Sequence, residues 1–279
     1  MSLDAKSSPE PLHSPRVVRD LLERYGLRAD KAFGQNFLID GNSLDSITQA
    51  AELNEDDTVL EIGPGLGVLT RRLAEKAGRV ISVELDARLL PLLQETVNHN
   101  NVTLVEGDGL KYDFSTLPQG SLLVANLPYN VGTLIVVRAL ESGHFKRLVV
   151  MLQKEVAERL EAAPGSSNYG ALSLVVKAYG TARRVRDVKP GSFMPAPDVT
   201  SSIVRIDTHG RRPPEGLVAF IHTAFKHRRK TLKKNLLMAG FAKDRVEGTL
   251  IGLELDPKVR AEALPLKTFE ALYQRLGPS

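Results

Sequence analysis

The chain has 279 residues, 42% of them hydrophobic and 25% charged, with no cysteine and a net charge of +4. That composition excludes disorder, a disulfide framework and thiolate chemistry. No apolar run approaches the roughly 20 residues of a bilayer span, and the start is polar, so the expected setting is the cytoplasm, with no membrane partner and no signal peptide.

Residues 1–15 are rich in Ser and Pro and are expected to be a flexible tail. A short helix is predicted over Val17–Tyr25 and another from about Asn42 to Ala51, with Gly34-Gln35-Asn36-Phe37-Leu38 between them. β-branched runs at Thr58–Ile62, Arg79–Glu84, Val102–Glu106, Leu122–Asn126 and Leu148–Gln153 then alternate with helical stretches such as Gly67–Ala77, Ala87–Asn98 and Lys154–Ala163. Strands and helices alternating at this spacing imply right-handed βαβ units and a parallel sheet. Residues 170–179 favour helix, and strands near Val185–Val188 and Ser201–Ile206 would finish the sheet. A Pro-rich linker over 208–216 leads to helices predicted at Leu217–Ala239, Lys243–Ile251, Lys258–Ala263 and Leu266–Leu276. The fold class is therefore α/β with a small helical domain after it: 16–209 for the first domain and 210–279 for the second.

Glu61-Ile62-Gly63-Pro64-Gly65-Leu66-Gly67 follows the first long strand and opens a helix. Glycines there let the backbone turn sharply and approach a ligand. Val68 stands where a dinucleotide fingerprint needs its third glycine, so a nicotinamide enzyme is disfavoured. Glu84 ends the second strand of the series, where an acid can accept hydrogen bonds from ribose hydroxyls, and Asp108 ends the third, where it can accept from an adenine amino group. Singly, these are as easily a tight turn and two surface acids. Together and in order they mark the carboxyl edge of an open α/β sheet as an adenosine site. Asn126-Leu127-Pro128-Tyr129 follows the fourth strand.

In this order, the glycine loop, Glu84, Asp108 and Asn126–Tyr129 resemble a class I methyltransferase acting on exocyclic amines. GQNFL at 34–38, NLPYN at 126–130, FMPAP at 193–197 and FKHRRKTLKKNL at 225–236 are similar to the KsgA/RsmA ribosomal RNA adenine dimethyltransferases, over nearly the whole chain after the first fifteen or so residues. The resemblance implies a Rossmann-like fold and S-adenosylmethionine as cofactor. It also implies dimethylation at N6 of two adjacent adenines near the 3′ end of 16S rRNA in an assembling 30S subunit. It places Asn36 and Leu38 over the methionine end of the cofactor, with Gly63, Gly65, Glu84, Asp108 and Asn126 as further cofactor contacts. The chemistry agrees. An adenine amino nitrogen is a poor nucleophile because its lone pair is delocalised. Acceptors on its two N–H bonds, the Asn126 side-chain oxygen and the Leu127 carbonyl, would draw it toward tetrahedral geometry. Pro128 stiffens the turn, Tyr129 offers a face for stacking, and Phe193 either closes the other face or packs in the core. The six histidines are scattered without ligand spacing, so no metal is expected.

Charge is uneven along the chain. Residues 1–209 carry 23 Lys and Arg against 26 Asp and Glu, whereas residues 210–279 carry 14 against 7. On a continuous helix over Leu217–Ala239, Lys226, Arg229, Lys230, Lys233 and Lys234 would form a stripe opposite the apolar side. Arg228 would lean toward that apolar side. The stripe reads as a phosphate-binding face for RNA or as a solvated surface. Competing functions are a related 23S rRNA adenine methyltransferase and an RNA-binding assembly factor; a monomer is expected.

Overall fold

A computed structural model describes residues 10–29 and 34–277. Residues 1–9 of the expected tail lie outside the described residues. The rest of it is ordered: Ser14 N–H donates to the Pro11 carbonyl at 2.8 Å, and Leu12 packs against a core cluster built on Val18, Leu21, Leu92 and Leu93. Pro15 opens helix α1 (Pro15–Arg24), a position where its missing N–H costs nothing.

Two strand residues, β1 (Phe37–Leu38), precede α2 (Gly41–Ala51), which Asp40 caps by accepting from Ser43 N–H. Then come β2 (Thr58–Ile62), α3 (Val68–Ala74), β3 (Arg79–Glu84), α4 (Leu90–Thr96), β4 (Val102–Glu106), β5 (Ser121–Asn126), α5 (Gly132–Ser142), β6 (Phe145–Gln153), α6 (Lys154–Glu161), α7 (Ala171–Tyr179), β7 (Gly180–Val188), β8 (Phe193–Met194) and β9 (Ser201–Thr208). Seven strands form one sheet in the order β4-β3-β2-β5-β6-β9-β7, and β1 pairs with β8 in a separate antiparallel ribbon. The pairs β2–β3, β2–β5, β3–β4 and β5–β6 are parallel. The chain runs outward from β2 through β3 to β4, then returns to β5 on the other side of β2. That reversal opens a crevice at the carboxyl ends of β2 and β5, where open α/β sheets bind ligands. Leu60, Leu122, Val124, Val149 and Met151 are fully buried, as strands covered on both faces require.

The predicted strands 58–62, 79–84 and 102–106 match β2, β3 and β4 residue for residue. Two others start earlier than their apolar runs: β6 at Phe145 and β7 at Gly180. The stretch 87–98 is a 3₁₀ turn at Ala87–Leu89 followed by α4, because Pro91 at the second helical position can begin a helix but not sit inside one.

By packing, residues to Lys154 with Arg184–Arg205 form one compact unit, and Glu155–Arg183 with Ile206–Ser279 form the other. The second unit therefore takes in α6 and α7 as well as the residues after 209. Its elements are α8 (Leu217–Phe225), α9 (Leu232–Met238), α10 (Lys243–Gly252) and α11 (Leu266–Leu276). Its core is Tyr169, Leu217, Phe220, Ile221, Leu236 and Phe269 with their neighbours. The Tyr169 hydroxyl donates to the Leu264 carbonyl at 2.9 Å.

One helix expected over 217–239 is in fact two. Thr231 caps α9, its hydroxyl accepting from Lys234 N–H at 3.2 Å. The Asn235 side chain, buried, donates to the carbonyls of Ala224 at 2.7 Å and His227 at 3.3 Å, tying the second helix to the frayed end of the first. The expected helix at 258–263 is a single 3₁₀ turn over Ala261–Ala263. Among the described residues, no helix is long and apolar enough to cross a membrane.

Candidate active site

The crevice at the sheet's carboxyl edge is a cavity lined by Gly34–Leu38, Glu61–Leu66, Glu84–Leu85, Gly107–Leu110 and Asn126–Val131, among others. It gathers Asn36, Leu38, Gly63, Gly65, Glu84, Asp108, Asn126, Leu127, Pro128 and Tyr129, ten of the eleven residues predicted for catalysis and cofactor binding. Gly63 and Gly65 have φ of +73° and +60°, which a side chain would strain. A Cβ on Gly65 would also come within 3.0 Å of the Phe37 ring.

Glu84 is 6% exposed. Its Oε2 accepts from Gly65 N–H at 3.2 Å and its Oε1 from Asp86 N–H at 2.9 Å, so the glycine turn and the acid hold each other. Burial raises the Glu84 carboxyl above its ordinary range, and those backbone N–H groups pull it partly back. Asp86 also accepts from Gln35 Nε2 at 2.9 Å, which fixes the 34–38 loop beside the acid. Asp108 Oδ1 accepts from Leu110 N–H at 2.9 Å.

At the other side of the cavity, Asn126 Nδ2 donates to the Asn36 carbonyl at 3.3 Å. With its nitrogen so committed, the amide turns its oxygen the other way, free of that bond. Leu127 is buried, its N–H donating to the Met151 carbonyl at 3.3 Å. Gly132 N–H closes the turn onto the Pro128 carbonyl at 2.8 Å. The Tyr129 ring is half-buried, and its hydroxyl and the Ser201 hydroxyl share a hydrogen bond of 2.5 Å. Burial pushes the Tyr129 hydroxyl above its ordinary value.

Phe193 does not reach the cavity. It is 3% exposed, and it packs with Leu38, Leu44, Val124 and Met151 in the main core. In the β1–β8 ribbon Phe193 stands directly opposite Leu38, so the two side chains share one face, and on it the Phe193 ring is spent on the main core.

Beneath the glycine turn, Glu61 is 1% exposed, and its Oε2 accepts from the hydroxyls of Thr70 at 2.6 Å and Ser82 at 2.7 Å. Burial pushes this carboxyl from its ordinary 4.5 to about 7, against the pull of the two hydroxyls. The folded chain thus keeps a proton that the unfolded chain loses. Stability from Glu61 is full below pH 4.5 and is lost as pH rises through 7, a swing on the order of 3 kcal/mol. Glu61→Gln is neutral at every pH, so its melting temperature should gain on the wild type between pH 5 and 8. Parallel curves would show that Glu61 is ionised throughout.

In the helical unit, the break between α8 and α9 redistributes the basic stripe. Lys226, Arg228, Arg229 and Lys230 are exposed in or beside the turn, and Arg228 donates to the Ser167 carbonyl. Lys233 is engaged by Glu247 at 2.7 Å, and Lys234 is exposed on α9.

A glycine turn on β2, an acid on β3, a parallel sheet reversing at β2 and an Asn-Leu-Pro-Tyr turn on β5 define a class I methyltransferase. The family described as ribosomal RNA adenine dimethylase matches residues 26–276, and the chain belongs to that family. Its methyl donor is S-adenosylmethionine. Ribosomal RNA small subunit methyltransferase A of Deinococcus radiodurans is 46% identical, over 98% of this chain and 95% of the relative. The protein of the same name from Clostridium botulinum is 40% identical, over 91% and 96%. Among solved structures, a dimethyladenosine transferase from Plasmodium falciparum is 28% identical with a TM-score of 0.75, covering 85% of this chain and 96% of that one. The 23S rRNA methyltransferase ErmE is 27% identical with a TM-score of 0.69, covering 87% and 100%.

Proposed function

We propose that this protein, acting in the cytoplasm as a monomer, transfers methyl groups to N6 of two adjacent adenines near the 3′ end of 16S rRNA in the small ribosomal subunit. The observation that carries the reading is the Asn126 amide, whose nitrogen is held by the Asn36 carbonyl. This leaves its oxygen to accept from a target amine, with the Leu127 carbonyl as the second acceptor. Together they localise the lone pair that the adenine ring otherwise delocalises. Pro128 keeps the turn rigid, and the Tyr129 ring stacks on the base.

Bound S-adenosylmethionine supplies an electrophilic methyl group on a sulfonium. The residues present fit it: Glu84 is a buried acceptor for ribose hydroxyls, Asp108 an acceptor for the adenine amine, and Gly63 and Gly65 admit close approach. Asn36 and Leu38 cover its methionine end, and Asn126 contacts it as well as the target. What the residues of the chain contribute is chiefly position, since an in-line displacement between aligned partners gains most from alignment. The test is to map dimethyladenosine after the protein and S-adenosylmethionine are added to subunits from methylation-deficient cells. Two adjacent dimethyladenines in 30S particles are expected. Methylation of 50S particles alone would assign the large-subunit activity instead, and cofactor binding with neither product would leave an assembly factor.

The helical unit is proposed to grip RNA phosphates through Lys226, Arg229, Lys230, Lys233 and Lys234. Because Lys233 already neutralises Glu247, its reversal would disturb the fold as well as binding. Arg229→Glu with Lys230→Glu is the cleaner variant. It should weaken small-subunit binding and flatten the dependence of log affinity on log salt by roughly 2, about one for each phosphate no longer neutralised, with cofactor affinity unchanged. An unaltered slope would make this turn a solvated surface.

A further inference from the structure

The Tyr129 ring borders the cavity, but the group that fixes its far end lies 72 residues on in the chain. Ser201 is fully buried, and its hydroxyl meets the Tyr129 hydroxyl at 2.5 Å. The serine itself has little freedom. On one side, the Thr200 carbonyl accepts from Lys154 N–H at 2.9 Å. On the other, Ser202 donates to Asp187 Oδ1 at 2.7 Å, and Asp187 Oδ2 accepts from Lys154 Nζ, also at 2.7 Å. The Lys154 ammonium and the Ser202 hydroxyl hold the Asp187 carboxyl below its ordinary range, so it stays charged and accepting at neutral pH. Residues 200 and 202 are thus both tied down, and the hydroxyl of the residue between them is presented from a fixed point.

A tyrosine ring on a turn can rotate about two side-chain bonds. Stacking on a base needs one of those orientations, and a ring that must first be ordered gives up part of the gain. A hydrogen bond at the far end of the ring removes that freedom while leaving its face bare. It also occupies the hydroxyl, so the ring meets the base as a surface and not as a donor.

We infer that Ser201 is a positioning residue for the methyl transfer, orienting Tyr129 through the hydroxyl–hydroxyl bond so that the ring is set to stack on the target adenine. The inference rests on the stacking role proposed for Tyr129. Ser201→Ala removes one oxygen from a small buried side chain, and Tyr129→Phe removes the other partner while keeping the ring. Each should lower the single-turnover methylation rate on small-subunit particles roughly 5- to 10-fold, the scale of one net hydrogen bond, with S-adenosylmethionine affinity unchanged. The double variant should be no slower than either single one.

A synthetic RNA carrying the two target adenines, one replaced by 2-aminopurine, reports stacking directly. Its emission in complex with wild type should be quenched, and either variant should relieve part of the quenching. Tyr129→Ala separates the layers. If it keeps full rate and full quenching, the stacking role fails and the inference with it. If it loses both while Ser201→Ala and Tyr129→Phe match wild type, Tyr129 stacks but Ser201 does not position it. Additive losses in the double variant would likewise overturn the coupling.

Discussion

Asn126→Ala is expected to bind S-adenosylmethionine within a few-fold of wild type and yet to lose about 100-fold or more in methyl-transfer rate, the scale of one preorganised polar contact made to the reacting centre. The bond from its amide oxygen to the target amine strengthens as the nitrogen becomes tetrahedral, so it is made mostly in the transition state and its loss depresses turnover more than binding. The structure sharpens this expectation. Asn126 Nδ2 is engaged by the Asn36 carbonyl, so the side chain is oriented before any substrate arrives. Asn126→Asp keeps the acceptors but replaces that donor with an oxygen facing the Asn36 carbonyl. It should therefore lose orientation as well as gain a charge, and the Ala variant is the simpler test. A folded Asn126→Ala that methylates small-subunit particles at near wild-type rate in single turnovers would overturn the amine-activation mechanism.

Much of the cavity was legible because it lies at strand ends. The runs ending at Ile62, Glu84 and Asn126 stop where Gly63, Leu85-Asp86 and Leu127-Pro128 change the backbone, and an open parallel sheet gathers its strand ends at one edge. Contacts between distant residues left no such trace. Nothing near Tyr129 points to Ser201, and nothing near Asp86 points to Gln35. Phe193 stands in a proline-rich loop whose face the sequence does not set; a two-residue strand is too short to show alternation, and the pairing of Leu38 with Phe193 decides the matter. The helix break at 226–231 was hidden for a different reason. Lys and Arg are good helix formers, so periodicity continues through the turn, while the interruption comes from the Thr231 cap and the buried Asn235 amide. Hydrophobic pattern recovered the layers of this molecule; polar side chains reaching the backbone set its details.

Glu84→Ala is expected to weaken S-adenosylmethionine binding by roughly 1.5–3 kcal/mol through loss of charge-assisted hydrogen bonds to ribose. Two features of the structure make the result readable. Glu84 also accepts from Gly65 N–H and Asp86 N–H, so the Ala variant loosens the glycine turn together with the ribose contact. Glu84→Gln keeps an acceptor of the same shape and should fall between wild type and Ala. The second feature is the raised carboxyl. Burial disfavours its charge, so ionised Glu84 lowers the stability of the free protein at neutral pH, a penalty that shrinks as pH falls through its raised value and is gone below the ordinary 4.5. Cofactor affinity should run the other way. The ionised form accepts the ribose hydroxyls, so wild-type affinity should fall as pH is lowered through the Glu84 titration, while the Ala variant should show no such step. Calorimetry across that range on the folded variants distinguishes the cases. A Glu84→Ala protein with wild-type affinity would remove this residue from the cofactor site, and one with weakened affinity but an unchanged pH step would assign the titration to another group.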